Sequence, residues 1–275
     1  MSTVTQETLS GAGKVIAVHE NYRRRAEQRA QVPAFPSYFL KPSSSLGLSG
    51  GTVERPPGCQ QLSLRGEVAL VIGTAARRVN VADAWGHVAF VTAANDLSLD
   101  ELEPADEGSH LRARGGDGFT PLGHFLLLAS HVDPDQLELR TWVNGTLVQD
   151  DSTAGLLFPF TQLIAELSQL MTLMPGDVIL TGTPAGSCLV APGDVMEVSV
   201  VDPASGESTG RLHTTVTAGT VPLGAFDARS RATEAENGAG RAAHLNPLTA
   251  PLRGTQPGAP PVGPPSLRPR AAGLP

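Results

Sequence analysis

The sequence is poor in cysteine, lysine, aromatic side chains and long apolar runs. Its two cysteines, Cys59 and Cys188, are too few for a disulfide framework and lack a zinc-binding pattern. We therefore expect a protein of a reducing compartment, the cytoplasm. No run approaches the ~18 apolar residues of a membrane span. Residues 1–13 lack the basic and apolar regions of a signal peptide, so we expect no membrane association.

Charge and length narrow the class of protein further. A formal net charge of -7 over 275 residues argues against nucleic-acid binding, which requires a basic footprint. Arginine supplies nearly all of the positive charge, and the lysines are only Lys14 and Lys41. Aromatic residues make up 4%, so Leu, Val and Ala must fill the core. The length allows one large mixed domain or two smaller ones.

Two apolar strands with acidic ends form the most informative stretch. Glu67 begins the run 67–73, and Asp96 closely follows the run 88–94. Carboxylates beside irregular backbone are suited to hold a divalent cation through oxygen ligands. Spacing alone leaves open that both are ordinary solvated residues at strand ends.

Further along the chain, the spacing of apolar residues is first typical of a strand, then typical of a helix, and finally irregular. Residues 137–143 alternate apolar and polar side chains and run into Asn144-Gly145, which predicts a hairpin. Apolar residues at helical spacing predict a helix over 160–172. Residues 225–275 are rich in Pro, Gly, Ala and Arg without periodicity, which predicts a disordered tail.

Four motifs occur in an order that resembles the fumarylacetoacetate hydrolase family. They are G-E-V-A-L-V-I-G from Gly66, A-A-N-D-L-S from Ala93, G-D-G-F-T-P-L-G from Gly116 and P-G-D-V-I-L-T-G-T-P-A-G from Pro175. The nearest branch contains bacterial isomerases and decarboxylases that act on 2-hydroxyhepta-2,4-diene-1,7-dioate and related oxo-diacids. The resemblance implies a β-rich α+β fold, a mixed β-roll around a central cavity. We expect it over 14–224, after a flexible N-terminal segment 1–13.

The resemblance also implies a metal site and a catalytic pair, both altered here. Glu67 and Asp96 match two of three carboxylates that hold Mg²⁺ or Mn²⁺ in the family, and Arg65 occupies the third position. A family His–Glu pair falls on Arg25 and Gln28, with Glu27 one residue early.

By the same resemblance, we predict catalytic and substrate-binding side chains. The predicted catalytic residues are Arg25, Glu27, Lys41 and Arg114, and the predicted substrate-binding residues are Tyr22, Arg65, Asp117 and Thr183. The arginines of 23–25 could instead be a solvated helix face, and Lys41 could be a surface residue. Because side chains at i and i+2 on a strand share a face, Arg65 is expected to bond both Glu67 and Asp96, unless it extends into solvent. Residues 99–112 are expected to form a mobile flap over the site.

The functional expectation is a homodimeric enzyme acting on a small oxo- or 2-hydroxy-dienoic acid. Isomerase, decarboxylase, C–C hydrolase and lyase chemistry all remain open, and the absent histidine of the family pair disfavours hydrolysis. We expect Arg65 to weaken the binding of Mg²⁺ or Mn²⁺. The alternative is a catalytically degenerate relative that serves as a binding or assembly subunit.

Overall fold

The fold was obtained as a computed structural model, and the structure describes residues 2–5 and 11–224. Within these ranges it contains sixteen strands and five short α-helices. The strands are β1 Ser2–Thr3, β2 Val15–Val18, β3 Tyr38–Lys41, β4 Leu46–Leu48, β5 Gly51–Arg55, β6 Leu62–Ser63, β7 Gly66–Ile72, β8 Val88–Asn95, β9 Ser98–Leu99, β10 Thr120–Leu122, β11 Phe125–Leu128, β12 Glu138–Val143, β13 Thr146–Ser152, β14 Val178–Leu180, β15 Val195–Val201 and β16 Leu212–Ala218. The helices are α1 Arg23–Gln28, α2 Val81–Ala84, α3 Glu103–Asp106, α4 Leu111–Arg114 and α5 Phe160–Leu170.

The strands form two large mixed sheets and a small ribbon. The larger sheet has nine strands, with the path β1-β11-β8-β7-β14-β2-β3 and the pair β4–β10 attached through β8. The second sheet has the order β13-β12-β15-β16-β5, and β6 pairs with β9. Parallel and antiparallel pairs occur in both large sheets. The fold is therefore the strand-rich α+β fold that the sequence predicted.

The centre of the larger sheet is apolar on both faces. Every residue of β7 is buried, and its side chains alternate between two apolar clusters. Val68 and Leu70 join the cluster that α5 covers, whereas Ala69 joins the cluster on the opposite face. A strand buried on both sides reads as a continuous apolar run, which explains the uninterrupted sequence after Glu67.

The predicted helix and hairpin are both present. α5 buries Phe160, Leu163, Ile164 and Leu167, the residues at helical spacing, against the sheet. β12 and β13 are joined by Asn144-Gly145, and both residues have positive φ, +50° and +78°. Two-residue hairpin turns of this kind favour Asn-Gly, because their twist matches that of the strands.

Two segments for which the sequence predicted flexibility or mobility contain regular secondary structure. The N-terminal segment expected to be flexible includes β1, which pairs with β11, and the buried Val4. Residues 99–112, expected to be a mobile flap, fold into short helical turns including α3. The predicted tail, 225–275, lies outside the described residues. None of the helices in the described part of the chain is long and apolar enough to cross a membrane.

Candidate functional site

Two carboxylates meet at one end of the larger sheet. The antiparallel register pairs Glu67, near the start of β7, with Ala94, near the end of β8. Asp96 directly follows β8, and its N–H donates to the carbonyl of Arg65 at 2.8 Å. The pairing of these two strands thus places Glu67 and Asp96 at the same end of the sheet.

Asp96 is fully buried, and each of its oxygens contacts a cation. Oδ1 accepts a hydrogen bond from Nζ of Lys41, and Oδ2 accepts one from Nη1 of Arg114 at 2.9 Å. The side chain of Lys41 is only 1% exposed, so it is not the surface lysine that the sequence allowed. Burial lowers the pKa of Lys41, and the adjacent Asp96 opposes this shift.

Glu67 is equally buried but has a different environment. Its Oε2 accepts a hydrogen bond from the N–H of Gly182 at 2.7 Å. Burial, followed by repulsion from Asp96, raises the pKa of Glu67 well above its usual value. Burial thus makes the neutral form of Glu67 more favourable than it is for an exposed carboxyl. Gly182 has φ +96°, and a Cβ there would lie 2.9 Å from Cβ of Asn21, so this position requires glycine.

The prediction that Arg65 bonds both carboxylates is wrong. Its Nη2 donates to Oδ1 of Asp100 at 2.7 Å and to Oε1 of Glu103 at 3.1 Å. The side chain is 6% exposed, so it does not extend into solvent either. The physical reason is that the helical turns after β9 place two acidic side chains within reach of the guanidinium. Arg114 also pairs with Glu103, at 2.9 Å.

Two neighbouring cavities lie near this end of the sheet, and Glu67 lines the smaller one. The smaller has a volume of about 120 Å³ and the larger about 530 Å³, and they share Arg25, Arg29, Arg65 and Glu103 in their walls. The larger volume falls in the range of small-molecule sites, roughly 300–1,000 Å³. Five predicted residues line the smaller cavity: Arg25, Arg65, Glu67, Arg114 and Thr183.

Five predicted residues line neither cavity, and two of them, Lys41 and Asp96, form the buried pair described above. Tyr22 is fully buried in the apolar core, where burial raises the pKa of its phenol. Glu27 and Asp117 are exposed and line neither cavity. Glu27 is two residues after Arg25 on α1, a rotation of about 200° at 3.6 residues per turn, which directs it away from the cavity. Asp117 lies in a glycine-rich turn at the surface.

The sequence reasoning missed two histidines of the smaller cavity, His19 and His110. Their Nε2 atoms are in hydrogen-bond contact, with ring centroids 4.2 Å apart. Burial first, then the charge of His110, lowers the pKa of His19 to about 4. The only local signal was that His19 ends a short apolar segment, residues 14–19. Nothing in the sequence indicated that His110 would approach it.

Cavity-lining residues account for most of the buried polar atoms that lack a partner. Among the described residues, nine buried side-chain atoms have no hydrogen-bond partner. Five of them belong to residues of the smaller cavity. These five atoms are Oε2 of Glu20, Nε and Nη1 of Arg65, Nδ1 of His110 and Nε of Arg114. Because buried donors without acceptors are costly, such a concentration indicates a site that receives polar groups from a ligand.

The divalent cation implied by the resemblance does not fit the residues as they are arranged. Across residues 2–5 and 11–224, no three His, Cys, Asp or Glu side chains form a group that could hold a metal. Both oxygens of Asp96 are bonded to Lys41 and Arg114, and Oε2 of Glu67 accepts the N–H of Gly182. Hard cations require several available oxygen ligands.

Comparisons with known proteins identify relatives over most of the described chain. A bifunctional isomerase/decarboxylase of 4-hydroxyphenylacetate degradation from Salmonella dublin is 38% identical over 197 residues, 70% of this chain and 46% of the relative. This chain therefore spans less than half the length of that relative. A mitochondrial oxaloacetate tautomerase, FAHD1, from Arabidopsis thaliana is 38% identical over 189 residues, 67% of this chain and 85% of the relative.

Solved structures show the same fold. The 2-hydroxyhepta-2,4-diene-1,7-dioate isomerase from Mycobacterium marinum has a TM-score of 0.68 and 32% identity, over 76% of each chain. The 5-carboxymethyl-2-hydroxymuconate delta-isomerase from Mycobacterium smegmatis has a TM-score of 0.68 and 37% identity, over 76% of this chain and 80% of that one. A family model also matches residues 14–217. The chain belongs to the fumarylacetoacetate (FAA) hydrolase C-terminal family.

Proposed function

We propose that this protein is an enzyme that enolises a small oxo-acid, as an isomerase, tautomerase or decarboxylase. The observation that carries the proposal is the set of unpartnered guanidinium N–H groups on Arg65 and Arg114 at the smaller cavity. Guanidinium donors match the geometry of carboxylate and enolate oxygens. A substrate with a carboxylate beside its keto group supplies such oxygens. The relatives named as isomerases, decarboxylases and tautomerases support the same class of reaction.

Side chains in the smaller cavity can stabilise the charge that enolisation creates. Fixed donors directed at a developing oxyanion stabilise it strongly in a site that excludes water. Arg65 and Arg114 offer such donors, and Thr183 offers a hydroxyl. Glu67, whose pKa is raised by burial, can give a proton to the enolate oxygen, since such a carboxyl can act as a general acid.

Substrate turnover tests this proposal. Purified protein is offered oxaloacetate, 2-hydroxyhepta-2,4-diene-1,7-dioate and simple acylpyruvates, and loss or gain of the enol absorbance is followed. The reactions are run with Mg²⁺, with Mn²⁺ and with EDTA. We expect turnover of at least one oxo-acid, including in EDTA. Failure with the whole panel would contradict the proposal.

Two arginines of helix α1 provide a matched pair of variants. Arg25 lines both cavities, whereas Arg23 on the same helix is exposed and lines neither. Because a hydrogen bond to a charged group contributes about 1.5–3 kcal/mol, Arg25→Met should raise KM roughly 10- to 150-fold. Arg23→Met should leave KM unchanged. Equal effects of the two substitutions on KM would show that Arg25 does not bind the substrate.

A binding protein without turnover is the second candidate. Arg25 at the position of the family histidine and Asp96 held between Lys41 and Arg114 favour it. It predicts saturable binding of the same oxo-acids by calorimetry without enol–keto exchange. The homodimer expected from the resemblance stays a prediction that light scattering would check.

A further inference from the structure

We propose that His19 and His110 are the proton-transfer pair of this site. In this scheme, His19 removes a proton from the carbon beside the keto group, and His110 holds the His19 ring in place through the contact between their Nε2 atoms. The proposal rests on the proposed function, because it assigns the base for that enolisation.

The fold brings the two histidines together from distant parts of the chain. His19 directly follows β2, and His110 directly precedes α4. Both line the smaller cavity with Glu67. Phe39 contacts both imidazole rings, with centroid distances of 5.5 Å to His19 and 4.8 Å to His110. Packing against a rigid aromatic ring fixes the pair at the cavity wall.

The backbone and the burial of His110 mark it as a residue held in place at a cost. Its φ is +53°, in the left-handed region that side chains other than glycine rarely adopt. It is 7% exposed, and its Nδ1 has no hydrogen-bond partner. Strained, unsatisfied residues concentrate at functional sites, where the surrounding structure holds them. Here the N–H of Arg114 donates to the carbonyl of His110 at 2.9 Å as α4 begins.

The contact between the rings defines what each nitrogen can do. In a neutral pair, one Nε2 carries the shared proton and the other accepts it. With the proton on Nε2 of His19, its Nδ1 has a free lone pair and makes no hydrogen bond to a described residue. When Nδ1 takes a proton, the imidazolium of His19 still donates through Nε2 to His110. In this arrangement one nitrogen of His19 can act as the base while the contact with His110 fixes the other nitrogen.

The charges around His19 keep it neutral and therefore able to act as a base. Burial contributes most to lowering its pKa, and repulsion from His110 and Arg65 adds to this. Glu20 and Asp96 act in the opposite direction and limit the shift. An unprotonated imidazole is consequently present throughout the neutral pH range.

The proton transfers balance with groups that the site contains. The substrate C–H bond breaks, His19 takes the proton, and the electron pair forms the C=C bond of the enolate. The π electrons of the keto group move to its oxygen, which takes a proton from Glu67. Return of a proton from His19 to Glu67 through solvent restores both groups, with no oxidant, reductant or co-reactant.

The two histidines also explain how the site can lack the family histidine, whose position Arg25 occupies. The resemblance places a histidine where this chain has Arg25, and Arg25 lines the same small cavity as His19 and His110. The chain thus provides imidazoles to that cavity from β2 and α4 although α1 provides none. Arg25 itself donates to Oε1 of Glu20 at 3.2 Å and to Oγ of Ser187 at 2.6 Å, which holds its guanidinium at the cavity wall.

Three glutamine variants test the pair by oxaloacetate enol–keto exchange, measured from the enol absorbance. They are His19→Gln, His110→Gln and the control His131→Gln, whose histidine is exposed and lines neither cavity. We expect His19→Gln to lower kcat about 10²- to 10⁴-fold, the usual contribution of a positioned base, with KM changed by less than about threefold. It should also abolish the acidic limb of the pH profile. His110→Gln should lower kcat by less, and His131→Gln should match the wild type.

A binding measurement on the wild type completes the test. Oxalate, a planar analogue of an enolate, should shift the imidazole NMR signals of His19 and His110 but not those of His131. An inactive wild type whose histidines respond to oxalate would contradict the proposed function alone. An active wild type with His19→Gln at full kcat would overturn the pair. If His19→Gln fails to fold by circular dichroism, unshifted His19 and His110 signals at saturating oxalate would overturn it instead.

Discussion

Replacing Asp96 by Asn should destabilise the protein more than any comparable change at the site. The substitution removes the negative charge beside the ammonium of Lys41, whose side chain is 1% exposed, and leaves it only neutral acceptors, the amide oxygen and the carbonyl of Phe119 at 3.3 Å. Arg114 retains Glu103. Removing one member of a buried ion pair leaves an uncompensated charge and costs about 3–5 kcal/mol. For a domain of this size we therefore expect Tm to fall by roughly 6–20 °C.

Glu67→Gln is the matched control for Asp96→Asn. Glu67 is just as buried and lies at the same end of the sheet, but its pKa is raised well above its usual value. An amide can still accept the hydrogen bond of the Gly182 N–H, so we expect a loss of at most about 1 kcal/mol. Urea unfolding of both variants at neutral pH and one protein concentration gives the comparison. If Glu67→Gln lost as much free energy of unfolding as Asp96→Asn, or more, the reasoning that the ion pair is made by Asp96 and not by Glu67 would be refuted.

Three further predictions concern pH, metal and the tail. Because the pKa of Glu67 is raised in the folded state, its contribution to stability is complete below about pH 4.5 and declines as pH rises towards the folded pKa. In urea unfolding across this pH window, the free energy of unfolding should decline less for Glu67→Gln than for the wild type. Calorimetry should show no saturable Mn²⁺ binding by the wild type or by Arg65→Glu, because Lys41 and Arg114 still occupy Asp96. Tight binding by either protein would contradict this account. Truncation after Leu223 should change Tm by less than about 2 °C, since the tail composition disfavours packing, and a larger fall would show that the tail packs on the domain.

Sequence patterns predicted the parts of the fold that depend on neighbouring residues. The alternation before Asn144-Gly145 and the helical spacing in α5 are local, and both elements were predicted with nearly correct bounds. The placement of Glu67 and Asp96 at strand ends also followed, because two long apolar runs could be assigned as strands.

The side-chain partners in the site could not be predicted, because they come from turns whose placement depends on the whole fold. Arg65 pairs with Asp100 and Glu103, which lie on helical turns. In the sequence these two residues belong to 99–112, which shows no helical pattern. His19 and His110 are 91 residues apart. Helical periodicity explains why Glu27 and Arg25 point in different directions from α1. It does not indicate which of the two lines a cavity.

The position of β14 between β2 and β7 has a consequence for folding during synthesis. β2 can pair with β3 early, as a local antiparallel partner, but its other edge awaits β14. The hydrogen bond from Lys14 to Asp177, which accompanies this pairing, spans 163 residues. At 5–20 residues per second, a ribosome needs about 8 to 33 seconds to supply that distance. During this interval the nascent chain carries an apolar strand with an open edge, the kind of surface that other chains and chaperones bind.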